Sequence, residues 1–263
     1  MSSTSRTLSL AFLCMASLFL ITPSQAQGKR KAKLADRTIL IVPFKGAKKS
    51  LVKMVADTIK KAYGVKVEVL EKKLTPSKKG SKERRRFQLE NVSKMLRINP
   101  AGQSLKALEK KVVAALKKNR SPVAREILAD LARPQYDLDV LIEQARTATA
   151  ERMKDKMVRG VVAVTHHDVG RGDLNFLFAG VTKGVSVISY ARFKDRSAAK
   201  VASRLKKQAL STGGYLVALP QCKGKSCART YPGSIPDQDK KPSTMCKACR
   251  AKLDELWDTS KPK

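Results

Sequence analysis

Near the C-terminus of this 263-residue chain four cysteines fall into two pairs, Cys222/Cys227 and Cys246/Cys249. Four residues lie inside the first pair, two inside the second, and eighteen between them. Two short-spaced pairs that bracket a loop can turn all their thiolates toward one point, which suits a tetrahedral metal with sulfur about 2.3 Å away. Two disulfides are the other arrangement the spacing allows, and an exported chain could form them in an oxidising compartment. Lys223, Lys225, Lys247 and Arg250 surround the quartet. Nearby cations lower thiol pKa, which favours a metal thiolate and also speeds oxidation. Either link closes the C-terminal part of the chain.

Hydrophobic residues make up 42% of the sequence, enough to supply a core and to exclude disorder throughout. The chain carries 55 basic and 22 acidic residues, a formal charge of +33, so polyanions will attract it. Attraction is not specificity: aromatics are only 5%, and no stretch interleaves them with Lys and Arg as a base-stacking surface would. The N-terminal segment has Arg6, an apolar run from Leu8 to Ile21, then Pro23 and the triplet Ser24, Gln25, Ala26. It reads as a signal peptide over residues 1–26, so an exported protein, periplasmic or secreted, is expected. The run is too short to favour a retained anchor, and no later one is long enough to span a bilayer. Cleavage would remove Cys14 and, among charged residues, Arg6 alone, taking the charge from +33 to +32.

After a charged lead-in at residues 27–36, "RTILIVPFKG" reads as a strand, "SLVKMVADTIKKAYG" as a helix stopped by Gly64, and "VKVEVLEKKL" as a second strand. That order opens an α/β or α+β layer. Residues 77–130 differ in character, with fifteen Lys and Arg against five Asp and Glu. "PSKKGSKERRR" shows no core pattern and is taken as turn-rich, whereas "QSLKALEKKVVAALKKN" puts Leu105, Leu108, Val112 and Leu116 on one helical face. The expected form is a solvated helical hairpin on the main layer, with an anion-binding appendage as the functional alternative. "ARPQYDLDVLIEQARTATAERM" reads as an amphipathic helix and "RGVVAVTHHD" as a buried strand. "DLNFLFAGVTKGVSVISYARF" reads as two strands turning at Lys183 and Gly184, and a long helix follows from about Ser197 to Thr212.

These residues resemble the archaemetzincins, a family of zinc metallopeptidase-like proteins. The family's pattern is a helix with HExxHxxGxxH followed at once by a cysteine, then C-x4-C and a later CxxC, and this chain has "PQCKGKSC" and "CKAC" in that order. "RTILIVPFKG", "RPQYDLDVLIEQ" and "VAVTHHDVGRGDLNFLFAGVTKGVSVISYARF" are similar to family segments in the same succession. The resemblance implies a metzincin-like twisted mixed sheet with packed helices over residues 37–263, a basic helical insertion at about 77–130, and one structural zinc on Cys222, Cys227, Cys246 and Cys249. Aligned on Cys222, Ser211, Tyr215 and Gln221 stand at the three zinc-binding histidines, Thr212 at the glutamate and Ala218 at the glycine. Arg229 replaces the methionine expected after the second cysteine, and would put a charge under the former metal site.

Peptidase chemistry of that class needs three imidazoles on zinc and a carboxylate as general base beside the bound water. Ser, Tyr and Gln are weak oxygen donors and Thr accepts no proton near neutral pH, so no catalytic zinc is expected. The only histidines, His166 and His167, are adjacent on or just after a strand. Neighbouring strand residues point to opposite faces, so shared metal binding is not expected, although one ring could enter the vacated cleft with Asp168 as partner. Gly213 and Gly214 are expected to weaken the former catalytic helix, fraying or bending it. The resulting reading is a catalytically inactive, monomeric binding protein for an unknown protein or peptide. A polyanion-binding envelope protein, or a hydrolase with an unconventional site, stands as the alternative.

Overall fold

The computed structural model describes residues 36–224 and 226–257; the signal peptide and almost all of the lead-in expected from the sequence lie outside them. The chain order is β1 (Thr38–Pro43), α1 (Lys49–Tyr63), β2 (Lys66–Val69), then three helices, α2 (Ser81–Met95), α3 (Leu105–Lys118) and α4 (Pro122–Leu131). It continues with β3 (Gln135–Asp137), α5 (Leu138–Ala148), α6 (Ala150–Met153), β4 (Val158–Thr165), β5 (Asp168–Gly170), β6 (Ala179–Thr182) and β7 (Val185–Ser189). The long α7 (Ala198–Leu216), short α8 (Ile235–Lys240) and α9 (Lys247–Trp257) follow. None of the described helices is long and apolar enough to cross a membrane.

Five strands form a mixed sheet in the order β2-β1-β4-β7-β6, parallel except for the antiparallel pair β6/β7. The middle strands are apolar on both faces because both faces are covered. Ile39, Ile41, Val162, Val164 and Ile188 pack under α1 and α7, while Leu40, Val42, Val161, Ala163 and Val187 alternate to the opposite face, where α5 brings Leu138, Leu141, Ile142 and Ala145. The β6/β7 turn falls where the sequence places it: Lys183 and Gly184 take φ of 48° and 76°, the paired positive angles of a tight hairpin. β6 is left at the sheet edge.

Three expectations need correction here. "PSKKGSKERRR" runs into helix α2, whose inward face is mostly polar: Arg84, Gln88, Leu89 and Ser93 are its buried residues, so no apolar periodicity announces it. The Arg84 guanidinium reaches the Gln135 side chain at 2.8 Å and the carbonyls of Gly172 and Leu174, tying α2 to the β3/β5 pair. Leu89 joins Leu108, Val112, Leu116, Ala124 and Leu131 in a core of the three helices' own. Secondly, the helix expected from "ARPQYDLDV" onward starts only at Leu138. Gln135–Asp137 is first a strand beside β5, and the Asp137 carboxylate caps α5 by accepting from the backbone N–H groups of Asp139 and Val140 at 2.9 and 3.1 Å. Thirdly, α7 is not frayed at its glycines; it runs unbroken to Leu216.

Candidate metal centre and adjoining cleft

The four cysteines converge. Cys222 lies in the loop after α7, Cys227 in the next turn, Cys246 just before α9 and Cys249 in its first turn. All four sulfurs lie within 4.8 Å of one another, Cys222 to Cys246 at 3.7 Å and Cys227 to Cys249 at 3.8 Å, and all four are free. A tetrahedron of sulfurs about 2.3 Å from one metal has edges of about 3.8 Å, so the donor set fits a tetrahedral ion and not a pair of disulfide bonds. Backbone N–H groups also point at sulfur, with Arg229 and Cys246 both donating to Cys227 Sγ at 3.4 Å. The Cys246 thiol is pulled down to about 7, first by the backbone N–H of Cys249, whereas burial pushes Cys249 up to about 12.

Two cations sit inside this knuckle. Arg229 is 1% exposed. Its Nη2 donates to the Leu219 carbonyl at 2.6 Å, its Nη1 lies 3.7 Å from Cys249 Sγ, and its Nε has no partner. Lys241, 6% exposed, follows α8 and has a buried Nζ without a hydrogen-bond partner. Burial lowers it to about 8, against the opposing pull of Cys227. The sequence reading anticipated Arg229 near this place but missed Lys241, which carries no signal there beyond being one more lysine.

Beside the knuckle a cleft of about 390 Å³ opens between α7 and the edge strand β6. Ser211, Thr212 and Tyr215 line it from the helix, and Phe176, Phe178 and Val181 from the sheet side. Gln221 is not among the lining residues; it lies exposed in the loop beyond the helix. Gln208, which also lines the cleft from the helix, donates weakly from Nε2 to Thr212 Oγ1 at 3.4 Å. The cleft offers hydroxyls, the Gln208 carboxamide and apolar surface, with no imidazole or carboxylate among the described residues of its lining.

The helix that carries these positions is held by close approach. A Cβ on Gly213 would stand 2.7 Å from the Tyr63 ring, and one on Gly214 would overlap the Arg229 guanidinium. Tyr63, on α1, donates its hydroxyl to the Leu210 carbonyl, so the two glycines admit the side chains that lock α7 in place. Ala218 then takes φ of 62° and closes the helix: its N–H reaches the Tyr215 carbonyl at 3.1 Å and the Leu219 N–H reaches Gly214 at 2.8 Å.

His166 and His167 lie in the bend between β4 and β5 and are not cleft residues. Contrary to the opposite-face expectation, their rings lie against each other with centroids 3.9 Å apart and planes tilted by 41°, and His167 also meets Tyr136 at 4.5 Å. Burial, then the neighbouring His166, lowers His167 to about 4. Asp168 is no partner to either ring through its carboxylate, which accepts from Arg192 at 2.8 and 2.9 Å. Ser211, a histidine and Asp168 therefore form no triad.

No family profile matches the sequence. The archaemetzincin of Aeropyrum pernix is 27% identical over 124 residues, and that of Sulfolobus acidocaldarius 28% over 127, each match covering 46% of this chain. The matched stretch spans 66% and 70% of those proteins, about two thirds of their length. The crystal structure of archaemetzincin from Methanopyrus kandleri superposes with a TM-score of 0.55 at 18% identity, covering 84% of this chain and 96% of that one. The chain is similar in sequence to archaemetzincins over about half its length and shares their fold. In this archaemetzincin-like fold the cysteine quartet converges beyond the end of α7, and Gln208, Ser211, Thr212 and Tyr215 face the cleft from that helix. Ala218 keeps its left-handed turn with a methyl group in it, where a glycine would adopt the same turn without strain.

Proposed function

We propose that this protein binds an extended protein or peptide segment in the β6/α7 cleft without cleaving it, and that the four cysteines hold one structural zinc. The observation that carries the reading is the composition of the cleft: the four helix positions facing it, Gln208, Ser211, Thr212 and Tyr215, bear a carboxamide and hydroxyls, so it lacks the ligands for a water-activating zinc and the carboxylate for a general base. The unpaired edge of β6 can accept a peptide strand through main-chain hydrogen bonds, with Phe176, Phe178 and Tyr215 offering apolar contacts to its side chains. The tetrahedral spacing of the four sulfurs supports a closed structural site, which leaves no open position for a substrate. We place the mature protein outside the cytoplasm, as the N-terminal segment suggests, and take it to act as a monomer.

A basic surface favours polyanion binding as a second reading. On α3, Leu108, Val112 and Leu116 are buried and Lys106, Lys110, Lys111, Lys117 and Lys118 face solvent. Binding of that kind would weaken steeply with salt.

The deciding experiment incubates the zinc-loaded protein with a mixture of unstructured peptides and reads the products by mass spectrometry, alongside retention of the same peptides on the immobilised protein. The expected result is retention that falls in Tyr215→Ala, with no new peptide ends. Chelator-sensitive cleavage would overturn the proposal.

A further inference from the structure

Arg229 and Lys241 are buried, and neither takes part in any ion pair found among the described residues. Each also keeps a buried nitrogen with no hydrogen-bond partner, Nε in one and Nζ in the other. The nearby buried Lys207 is different, because its ammonium donates to the carbonyls of Gln238 and Asp239 at 3.1 and 2.8 Å. Asp237 shares a surface depression with Cys222 and Lys241, but its carboxylate accepts from Ser234 instead. A charge removed from water without compensation is strongly unfavourable, so two such cations in one small knuckle require an anion close by. Among the described residues the groups in contact with Arg229 that can carry a negative charge near neutral pH are the thiols of the cysteine cluster, Cys249 Sγ by its side chain and Cys227 Sγ by its backbone; the Tyr63 hydroxyl, also beside the guanidinium, is kept protonated by burial.

We infer that Arg229 and Lys241 are the internal counter-cations of a four-thiolate metal centre, which makes the knuckle electrically neutral as a unit. A divalent ion on four thiolates carries two negative charges, and one guanidinium and one ammonium balance them. The same cations disfavour the other states of the cluster. Two disulfides or four protonated thiols are uncharged and would leave both cations buried without a counter-charge. The inference rests on the structural metal proposed above. It adds that metal retention depends on two residues that donate nothing to the metal, so both are positioning residues.

The test uses the full chain, wild type and variants, and measures zinc affinity by competition with a chromophoric chelator. Outer-shell partners of a metal site contribute about 10- to 100-fold to affinity, so Arg229→Met and Lys241→Met should each weaken zinc binding by at least about tenfold. Arg229→Lys and Lys241→Arg should retain most of it, which a merely space-filling role would not. Cobalt substitution supplies a second readout. A nearby cation stabilises the sulfur lone pairs, so its removal should move the sulfur-to-cobalt charge-transfer band to lower energy. Folded Arg229→Met and Lys241→Met proteins with wild-type affinity and an unshifted band would overturn the inference while leaving the structural metal standing. Should Arg229→Met fail to fold, Lys241→Met carries the test alone. A wild-type chain that takes up neither zinc nor cobalt would sink the metal reading and the inference with it.

Discussion

Ala218 occupies a position that suits glycine. Its methyl group is exposed, its φ is 62°, and its only evident task is to close α7 in the turn that leads to the knuckle. A left-handed conformation costs an L-residue about 1–2 kcal/mol, and glycine returns part of that, about 0.5–1 kcal/mol, through its freer unfolded chain. Ala218→Gly should therefore stabilise the protein by about 0.5–1 kcal/mol, read as a higher urea midpoint at unchanged slope. A loss of stability would mean that the methyl group makes contacts the turn depends on. The residue scale also shows where sequence reasoning stops. The spacing of Cys222, Cys227, Cys246 and Cys249 was enough to anticipate that their sulfurs converge on one point, because short pairs constrain geometry locally. Lys241 reaches the same centre through the fold of α8, and no local pattern encodes that.

Helix α7 illustrates how propensity fails when two elements touch. Read alone, Gly213 and Gly214 weaken a helix by about 1 kcal/mol each, which predicts fraying. In the fold they are the places where Tyr63 and Arg229 press against the helix backbone, so the helix gains more from contact than it loses in propensity. Gly213→Ala should destabilise the protein, since overpacking costs about 1–3 kcal/mol against a gain of about 1 kcal/mol in propensity. Gly214→Ala should be destabilising in the wild type and neutral or stabilising in an Arg229→Met background, because the nearest atoms its methyl group would meet all belong to that guanidinium. The coupling, measured over the four proteins of a double-mutant cycle, should exceed about 1 kcal/mol. Additive effects would refute the close approach. The missed helix α2 has the converse cause. Its buried face is Arg84, Gln88, Leu89 and Ser93, and a polar face that docks through hydrogen bonds leaves no hydrophobic periodicity to read. The central strands and α1, which bury apolar residues at regular spacing, were legible throughout.

At the scale of the whole molecule the dominant quantity is charge. Were every one of the 22 acidic residues paired, 33 of the 55 basic residues would still have no partner. Several of the ion pairs present link residues three or four apart on one helix, such as Lys53–Asp57 and Lys154–Glu151, and both of these are largely exposed. Pairs of that kind contribute about 0–1 kcal/mol, too little to offset the mutual repulsion of the remaining cations. The repulsion acts over long distances at low ionic strength, because the screening length is about 30 Å at 0.01 M salt and about 10 Å at 0.1 M. Added sodium chloride should therefore raise the melting temperature over about 0.01–0.2 M, as screening relieves repulsion faster than it weakens the exposed pairs. A protein held together by its ion pairs would show the opposite slope. The buried Arg192–Asp168 pair should contribute little to either trend, since salt screens buried charges much less than exposed ones. A falling melting temperature would mean that the cations are locally compensated after all, and would take away the main physical support for polyanion binding.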